Sequence, residues 1–320
     1  MEHTAKGKII KGVGGLYTVK LTEKSPLLPP ELNQVESRAK GAFRHSKITP
    51  LVGDMVELLF EETDGSATRK ESGILIREIG ERSNALIRPP MANLDYLFVT
   101  MAAASPSPIL FTVDKLIAIA EFNHIEPIVV IGKCDLDLVK TRELADLYRL
   151  SGFTVFPLSA KTGEGVDEIA TFICQNLSGK TAAFAGASGV GKSTLMNALF
   201  PDLALQTSEI SRKIERGRHT TRHVELYELP NVANGYIADT PGFSMLDFER
   251  FDFFGKEDLP HTMREFAPHI GECRYKKCTH TKEEGCAIVE AVKAGEIAPS
   301  RHESYVALFQ ILKNKNAWDK

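Results

Sequence analysis

The sequence predicts a multidomain protein: an all-β barrel first, then an α/β domain with a mostly parallel sheet, then a small α-helical metal-binding domain. Three observations support this. Short strand patterns fill residues 1–84, strands and helices alternate over residues 85–246, and three cysteines with one histidine cluster within residues 247–320. A chain of 320 residues is long enough for these domains to have separate cores.

The composition is that of an ordinary soluble globular protein, with 43% hydrophobic and 25% charged residues. The N-terminus has no apolar signal core, and no apolar run reaches membrane-spanning length. Five cysteines in so long a chain are no disulfide framework. We therefore expect a cytoplasmic monomer with no membrane partner. The net charge of −3 argues against indiscriminate binding of nucleic acid but leaves room for basic patches.

Strand patterns in the first 84 residues cover residues 8–10, 16–19, 54–59 and 74–79. That many short strands indicate a small closed or half-closed barrel, of which the oligonucleotide-binding (OB) barrel is the commonest. Its positive charges fit an RNA-binding face and a merely solvated surface equally well. They are Lys6, Lys8, Lys11, Arg38, Lys40, Arg44, His45 and Lys47.

From residue 94 to residue 238, strand patterns alternate with helical ones, which predicts a doubly wound sheet with helices on both faces. Predicted strands cover residues 94–101, 127–131, 154–158, 182–185, 223–229 and 235–238. Ligands of such sheets bind at the carboxyl ends of the strands, so the loops that follow them should carry the chemistry.

A phosphate-binding loop follows the strand at residues 182–185. The pattern is glycine, four residues, then Gly-Lys-Ser, and its backbone N–H groups point at one spot at the positive end of a helix. Lys192 would reach the outer phosphates, and the Ser193 hydroxyl would bind Mg²⁺. The loop comprises Gly186, Ala187, Ser188, Gly189, Val190, Gly191, Lys192, Ser193 and Thr194.

Two further strand ends carry groups that read guanine. Gly132, Lys133, Cys134 and Asp135 follow one strand, and Asp135 can accept two hydrogen bonds from the N1–H and amine edge of guanine. Adenine has an acceptor at the N1 position and lacks that amine, so it leaves the carboxylate without its hydrogen bonds. The mismatch costs about 1–3 kcal/mol of binding free energy. The Lys133 stem would lie over the base plane. Ser159, Ala160 and Lys161 follow the next strand and would contact the guanine carbonyl oxygen.

The last strand end reads Asp239-Thr240-Pro241-Gly242. We expect Asp239 to hold Mg²⁺ through water and the Gly242 N–H to face the γ-phosphate. These segments resemble the guanine-nucleotide motifs of P-loop GTPases, in permuted order. The whole chain resembles the family of ribosome small-subunit-dependent GTPases A (RsgA) in its GASGVGKST, GRHTT, DTPGF and SAKTGEG motifs and its cysteine cluster.

The resemblance implies an N-terminal OB barrel, a circularly permuted GTPase domain and a C-terminal zinc domain. It also implies GTP hydrolysis stimulated by the small ribosomal subunit, with GTP, GDP and rRNA as binding partners. One position departs from the pattern: base-reading motifs usually begin with Asn or Thr, and here the residue is Gly132. We expect the protein still to prefer guanine over adenine, because Asp135 makes that distinction, but to bind guanine nucleotides more weakly.

The segment Ser208–His223 is polar and basic, which suits a switch that orders around the γ-phosphate and Mg²⁺. Thr221, or its neighbour Thr220, would supply a Mg²⁺-binding hydroxyl. Phe243 occupies the position of the usual water-orienting glutamine, so hydrolysis should be slow without help. His219 is the local candidate for that help, although an RNA-contacting or simply exposed histidine fits as well.

Cys273, Cys278, His280 and Cys286 lie within 14 residues and supply a complete tetrahedral ligand set for Zn²⁺. With no position left for water, the site would be structural. Arg274, Lys276, Lys277 and Lys282 surround it with positive charge, and the resemblance implies an RNA-binding surface there. A Ser300–Glu303 capping box is predicted to open the last helix.

The best interpretation is a GTPase that binds the small ribosomal subunit and assists its late maturation. Two alternatives stay open at this point. One is an ATP-dependent small-molecule kinase, and the other is an RNA-binding module whose nucleotide is structural or regulatory. A further hypothesis is that nucleotide state reorients the zinc domain through the aromatic connector Phe243–Phe254.

Overall fold

A computed structural model describes residues 3–23, 28–40, 43, 48–60, 73–201, 224–239 and 253–315, with only the backbone of Asp239. Five strands of its N-terminal part form a closed barrel, because β1, β2, β3, β5 and β4 pair in that order and β4 pairs again with β1. Ile9, Val19, Leu58 and Ile76 fill its core. The strands are β1 (His3–Val13), β2 (Leu16–Glu23), β3 (Gln34–Ala39), β4 (Met55–Phe60) and β5 (Ile74–Ile79).

A two-stranded hairpin, β6 (Ala85–Leu86) with β7 (Met91–Ala92), follows the barrel. The central domain then alternates strands and helices as predicted. Its elements are β8 (Tyr96–Ala102), α1 (Leu110–Phe122), β9 (Glu126–Gly132), α2 (Leu138–Leu150), β10 (Thr154–Pro157), α3 (Val166–Asn176), β11 (Thr181–Ala185), α4 (Lys192–Leu199), β12 (Glu225–Glu228) and β13 (Tyr236–Asp239).

The central sheet has the order β10-β9-β8-β11-β13-β12. All its neighbouring strands are parallel except β12, which runs antiparallel to β13. Alternate residues of a strand face opposite sides of the sheet. Val129 and Ile131 accordingly join a core with α1 and α2, whereas Ile128 and Val130 join a core with α3 and α4. The predicted mostly parallel sheet with helices on both faces is confirmed.

Barrel and central domain share one sheet of 11 strands, since β1 pairs antiparallel with β12 at Lys11 and Glu225. Lys11 forms an ion pair with Glu225 at 2.9 Å, and the buried Lys8 Nζ donates to Thr181 Oγ1 at 3.0 Å. The expectation that Lys8 offers charge on an outer barrel face is therefore wrong, because it is buried at this junction. Lys11 remains partly exposed while it pairs with Glu225 across the junction. Arg44, His45 and Lys47 lie outside the described residues.

The C-terminal part contains two 3₁₀ turns, Leu259–Thr262 and Arg264–His269, and the helices α5 (Ala287–Ala294) and α6 (Pro299–Asn314). The predicted capping box is wrong. Ala298 is the N-cap of α6 and Pro299 its first residue, so Ser300 already lies inside the first turn. In the described ranges, no helix combines the length and the apolar character needed to cross a membrane.

Candidate functional site

The phosphate loop connects the buried strand β11 to α4, as the sequence predicts. Gly186, Gly189 and Gly191 have φ angles of 144°, 79° and 104°, a region that favours glycine. A Cβ on Gly186 would lie 2.1 Å from the carbonyl oxygen of Thr100 on β8. The first glycine is thus required by the close approach of the neighbouring strand.

The Lys192 ammonium lies over this loop and donates to the carbonyl oxygens of Gly186 and Ala187, each at 2.8 Å. Burial lowers the pKa of Lys192 from its usual value. Carbonyl oxygens are weaker acceptors than phosphate oxygens for a cation. A polyphosphate in the loop would therefore draw the ammonium to itself. Ser193 is exposed at the start of α4, one residue further on.

The two segments predicted to read the base, residues 132–135 and 159–161 (the base-reading segments), lie side by side at the carboxyl ends of β9 and β10. The Cys134 N–H donates to the Leu158 carbonyl at 3.1 Å, and the Leu158 N–H donates to the Ile131 carbonyl at 2.9 Å. The second segment turns back on itself, because the Ser159 N–H donates to the Glu164 carbonyl at 2.8 Å. Backbone bonds therefore hold both loops in place.

Lys133 joins the base-reading segment to the phosphate loop. Its Nζ donates to the Gly189 carbonyl at 2.8 Å and also to the carbonyl of Ser105. The sequence predicted a lysine stem over the base plane and missed the destination of the ammonium. Ser105 follows β8, and the sequence analysis gave the end of this strand no role. The position of β8 in the alternating strand–helix pattern already indicated that its carboxyl end would lie beside the other loops.

A cavity of about 300 Å³ lies where these segments meet. Nine of its thirteen lining residues are among those that the sequence predicted to bind nucleotide, and Thr100, Leu136, Leu158 and Leu195 are not. The lining residues are Thr100, Gly132, Lys133, Asp135, Leu136, Leu158, Ser159, Ala160, Lys161, Val190, Gly191, Thr194 and Leu195. A second cavity, of about 330 Å³, lies at the amino ends of the strands and contains none of the predicted residues.

Not every residue predicted to bind nucleotide lines the first cavity. Gly186 to Gly189 lie in the adjoining phosphate loop, and Lys192 and Ser193 begin α4 directly after it. Cys134 is buried beneath its segment, where burial, with a smaller effect from Glu164, raises the pKa of its thiol to about 11. A thiol with so high a pKa is not a nucleophile near neutral pH.

Gly132 lies in tight contact with the phosphate loop. A Cβ at this position would lie 3.3 Å from the Val190 carbonyl oxygen and 3.5 Å from that of Met101. Those neighbours are backbone atoms, which cannot rotate away as a side chain does. Glycine at this position, where the usual motif has Asn or Thr, therefore allows the end of β9 to pack closely against the phosphate loop.

Asp239 is the last residue of β13. Because β13 pairs in parallel with β11, the strand that leads into the phosphate loop, Asp239 lies at the same edge of the sheet as that loop. The remaining predicted residues around the γ-phosphate lie outside the residues described. They are His219, Thr220, Thr221 and Gly242.

The predicted metal ligands converge in the C-terminal part, where the ligand atoms of Cys273, Cys278, His280 and Cys286 all lie within 4.8 Å of one another. His280 Nδ1 lies 3.4 Å from Cys273 Sγ and 3.6 Å from Cys286 Sγ, and those two sulfurs are 3.9 Å apart. Bonds of about 2.3 Å to sulfur and about 2.0 Å to nitrogen place tetrahedral ligands at similar separations. The cluster fits a zinc ion.

Helix α6 holds the loop that carries two of these ligands. Tyr305 donates its hydroxyl proton to the Thr279 carbonyl at 2.8 Å, and His302 Nε2 lies 2.8 Å from the His280 carbonyl oxygen. The loop carbonyls thus have partners on a helix, which fixes the ligands relative to the rest of the domain.

Comparison with known proteins agrees with this geometry. The family model described as "RsgA GTPase" matches residues 79–249, and that of the "RsgA N-terminal domain" matches residues 6–67. The small ribosomal subunit biogenesis GTPase RsgA of Geobacillus kaustophilus is 42% identical over 315 residues, covering 97% of this chain and 98% of that protein. The protein of the same name from Bacillus pumilus is 40% identical, with the same coverage.

Two solved structures are similar over nearly their whole length. YjeQ from Thermotoga maritima has a TM-score of 0.76 at 31% identity, covering 98% of this chain and 100% of that chain. YloQ, described as a circularly permuted GTPase, has a TM-score of 0.73 at 34% identity, covering 98% and 96%. Residues 132–135 and 159–161 precede the phosphate loop in the sequence and meet it in space. On these matches, the chain belongs to the RsgA GTPase family.

Proposed function

We propose that this protein hydrolyses GTP to GDP and phosphate, binds the small ribosomal subunit and assists its late maturation, with the subunit stimulating turnover. The observation that carries the proposal is the cavity that the base-reading segments and the phosphate loop form together. The names of the relatives, small ribosomal subunit biogenesis GTPases, support the choice of partner. Neither the kinase nor the purely structural alternative gains support from them.

Guanine is selected by Asp135, whose carboxylate accepts from the N1–H and amine edge of the base. The backbone of Ser159, Ala160 and Lys161 contacts the guanine carbonyl oxygen from the other side of the cavity. Lys133 keeps the base-reading segment against the phosphate loop through Gly189. The same residues therefore recognise the base and set its distance from the phosphates.

Hydrolysis proceeds by attack of water on the γ-phosphorus, with the bond to the β–γ bridging oxygen breaking. Lys192, the N–H groups of the phosphate loop and the N–H of Gly242 stabilise the negative charge that develops on the phosphoryl oxygens. His219 accepts a hydrogen bond from the attacking water and orients it. Because Phe243 replaces a water-orienting group, turnover stays slow until the subunit completes the site.

A Mg²⁺ ion bound with GTP would supply positive charge against the phosphates. Ser193 at the start of α4 and Asp239 at the end of β13 would hold it, since β13 pairs with β11, the strand that leads into the phosphate loop. Thr221, or alternatively Thr220, adds a hydroxyl from the switch.

Cys273, Cys278, His280 and Cys286 hold one structural Zn²⁺ and leave no position for a reactive water. The basic residues around them, Arg274, Lys276, Lys277 and Lys282, form an rRNA-binding surface with the barrel. We further propose that the protein is a cytoplasmic monomer with domains at residues 1–84, 85–246 and 247–320.

Steady-state phosphate release tests the proposal, with GTP or ATP as substrate and with purified small or large ribosomal subunits. We expect slow release from GTP alone, many-fold faster release with the small subunit, and none above background from ATP. Lys192→Ala should abolish the stimulated rate. Equal use of ATP would refute the guanine site, and stimulation absent or equal with both subunits would refute the proposed partner.

A further inference from the structure

The carboxylate of Glu283 accepts hydrogen bonds from several groups of the metal-binding loop, residues 278–283. Its Oε1 accepts from the Thr279 N–H at 2.9 Å and from the Thr279 hydroxyl. Its Oε2 accepts from the N–H groups of Thr281 at 3.0 Å and Lys282 at 3.1 Å. Four donors from one short stretch of the loop thus converge on one side chain.

These donors lie on both sides of the ligand His280. That residue has a φ of 58°, a conformation that non-glycine residues seldom adopt and that surrounding contacts must hold. Its N–H points to Cys278 Sγ at 3.4 Å, while its Nδ1 faces the other two sulfurs. By fixing the residues before and after His280, Glu283 holds the turn that presents both the imidazole and Cys278 to the metal.

Glu283 is not itself a fifth ligand. Each of its oxygens already accepts from two donors, and the three thiols and the imidazole complete a tetrahedral set. Tyr305 and His302 of α6 contact the carbonyls of Thr279 and His280. The backbone between Cys278 and Glu283 therefore has partners, on Glu283 and on α6, that do not depend on the ion.

We propose that Glu283 is a positioning residue for the metal centre: it preorganises residues 278–282 and thereby sets how long the zinc ion is retained. This inference rests on the proposed zinc site. Residues that orient metal ligands without touching the ion change metal affinity by about 10–100-fold when they are replaced. Glu283 has the contacts expected of such a residue.

The test is the rate at which the intact protein loses zinc to a chromogenic chelator in excess. Glu283→Gln keeps the shape of the side chain but places an amide NH₂ against N–H donors, so we expect zinc loss about 10–100-fold faster. Glu284→Gln removes the same charge from the adjacent, exposed position and should match the wild type. Thr279→Val removes one of the four donors to Glu283, together with the contact of that hydroxyl with Thr281 Oγ1 at 3.0 Å, and should give a smaller acceleration. This variant keeps the test decisive if Glu283→Gln does not fold.

Guanine-nucleotide affinity, measured on the same samples, should be unchanged, because the nucleotide cavity contains no residue of this loop. Zinc loss from Glu283→Gln at the wild-type rate, or equal acceleration in Glu283→Gln and Glu284→Gln, would overturn the proposal. Wild-type protein that carries no zinc would overturn it together with the zinc site. The GTPase proposal would be unaffected, since phosphate release tests it separately.

Discussion

The guanidinium of Arg301 donates to Asp114 Oδ1 at 2.7 Å, and neither side chain is more than 1% exposed. The pair joins α6 of the C-terminal part to α1 of the central domain. Glu265 binds the other edge of the guanidinium at 2.6 Å, and Tyr148 donates to Asp114 at 3.0 Å. Removing one partner of such a buried pair costs about 3–5 kcal/mol, because the other charge is left uncompensated.

This pair bears on the hypothesis that nucleotide state reorients the zinc domain. Residues 243–252 of the supposed connector lie outside the described ranges, so the hypothesis stays a prediction. Any rotation of α6 away from α1 must separate Arg301 from Asp114. A nucleotide can drive that change only if it binds the rotated form more tightly by a comparable free energy.

We predict that Arg301→Met lowers the free energy of unfolding by about 3–5 kcal/mol. The substitution leaves the carboxylates of Asp114 and Glu265 buried without their cation. Urea denaturation followed by circular dichroism measures the effect. Lys293→Met, at the exposed pair with Glu290, is the control and should change stability by less than about 0.5 kcal/mol. Equal effects of both substitutions would contradict the prediction.

The second prediction concerns the base. Asp135→Asn should weaken GDP binding by about 100-fold, because an amide NH₂ then faces the donors of guanine. Xanthine carries a carbonyl where guanine carries its amine, so the same variant should gain affinity for xanthosine diphosphate. Competition against a fluorescent guanine nucleotide measures both changes. If binding of the two nucleotides weakened in parallel, Asp135 would not read the base.

The sequence predicted the central sheet well because its strands are buried on both faces and read as continuous apolar runs. It located the glycine-rich loop between β11 and α4 and the cluster of three cysteines and one histidine, because their residue types stand at characteristic spacings. It missed β3, where the buried Ser37 interrupts the apolar alternation that marks a strand. The capping box failed because Pro299 starts α6 one residue before Ser300.

Other features depend on contacts between segments far apart in the chain. Lys133 reaches Ser105 and Gly189 only because three loops meet at the sheet edge. The pairing of β1 with β12 likewise joins strands more than 200 positions apart, and no local pattern reports it. Lys8 and Lys11 therefore looked like free surface charges in the sequence, whereas the fold buries Lys8 at the junction and pairs the partly exposed Lys11 across it.

A third prediction tests the packing of Gly132. Gly132→Ala places a Cβ 3.3 Å from the Val190 carbonyl oxygen, a backbone atom of the phosphate loop. Moving the loop to relieve that contact should weaken GDP and GTP binding alike by about 1–2 kcal/mol. Unlike Asp135→Asn, this variant should gain no affinity for xanthine nucleotides. Gly255→Ala, whose Cβ would mainly meet the ends of flexible acidic side chains, is the control. If Gly132→Ala bound GDP and GTP as tightly as the wild type, the phosphate loop would be able to move without cost and the prediction would be wrong.

The last prediction concerns Lys8, which lies between the barrel and the central domain. Its Nζ donates to Thr181 Oγ1 at 3.0 Å and lies 4.9 Å from the centre of the Tyr236 ring. Burial lowers the pKa of Lys8, and the negative charge of Asp95 opposes this only in part. Between that lowered pKa and the usual value of 10.5, the unfolded chain holds a proton that the folded chain has released.

Stability rises with pH wherever the unfolded state binds more protons. The wild type should therefore gain stability relative to Lys8→Met as the pH increases from 7 towards 10. Urea denaturation of both proteins across this range measures the difference, in which the contributions of all other groups cancel. Lys6→Met, at the exposed pair with Glu23, serves as the matched control. A difference that stays constant, or that changes in the opposite direction, would mean that Lys8 keeps its charge at the junction with no penalty from burial.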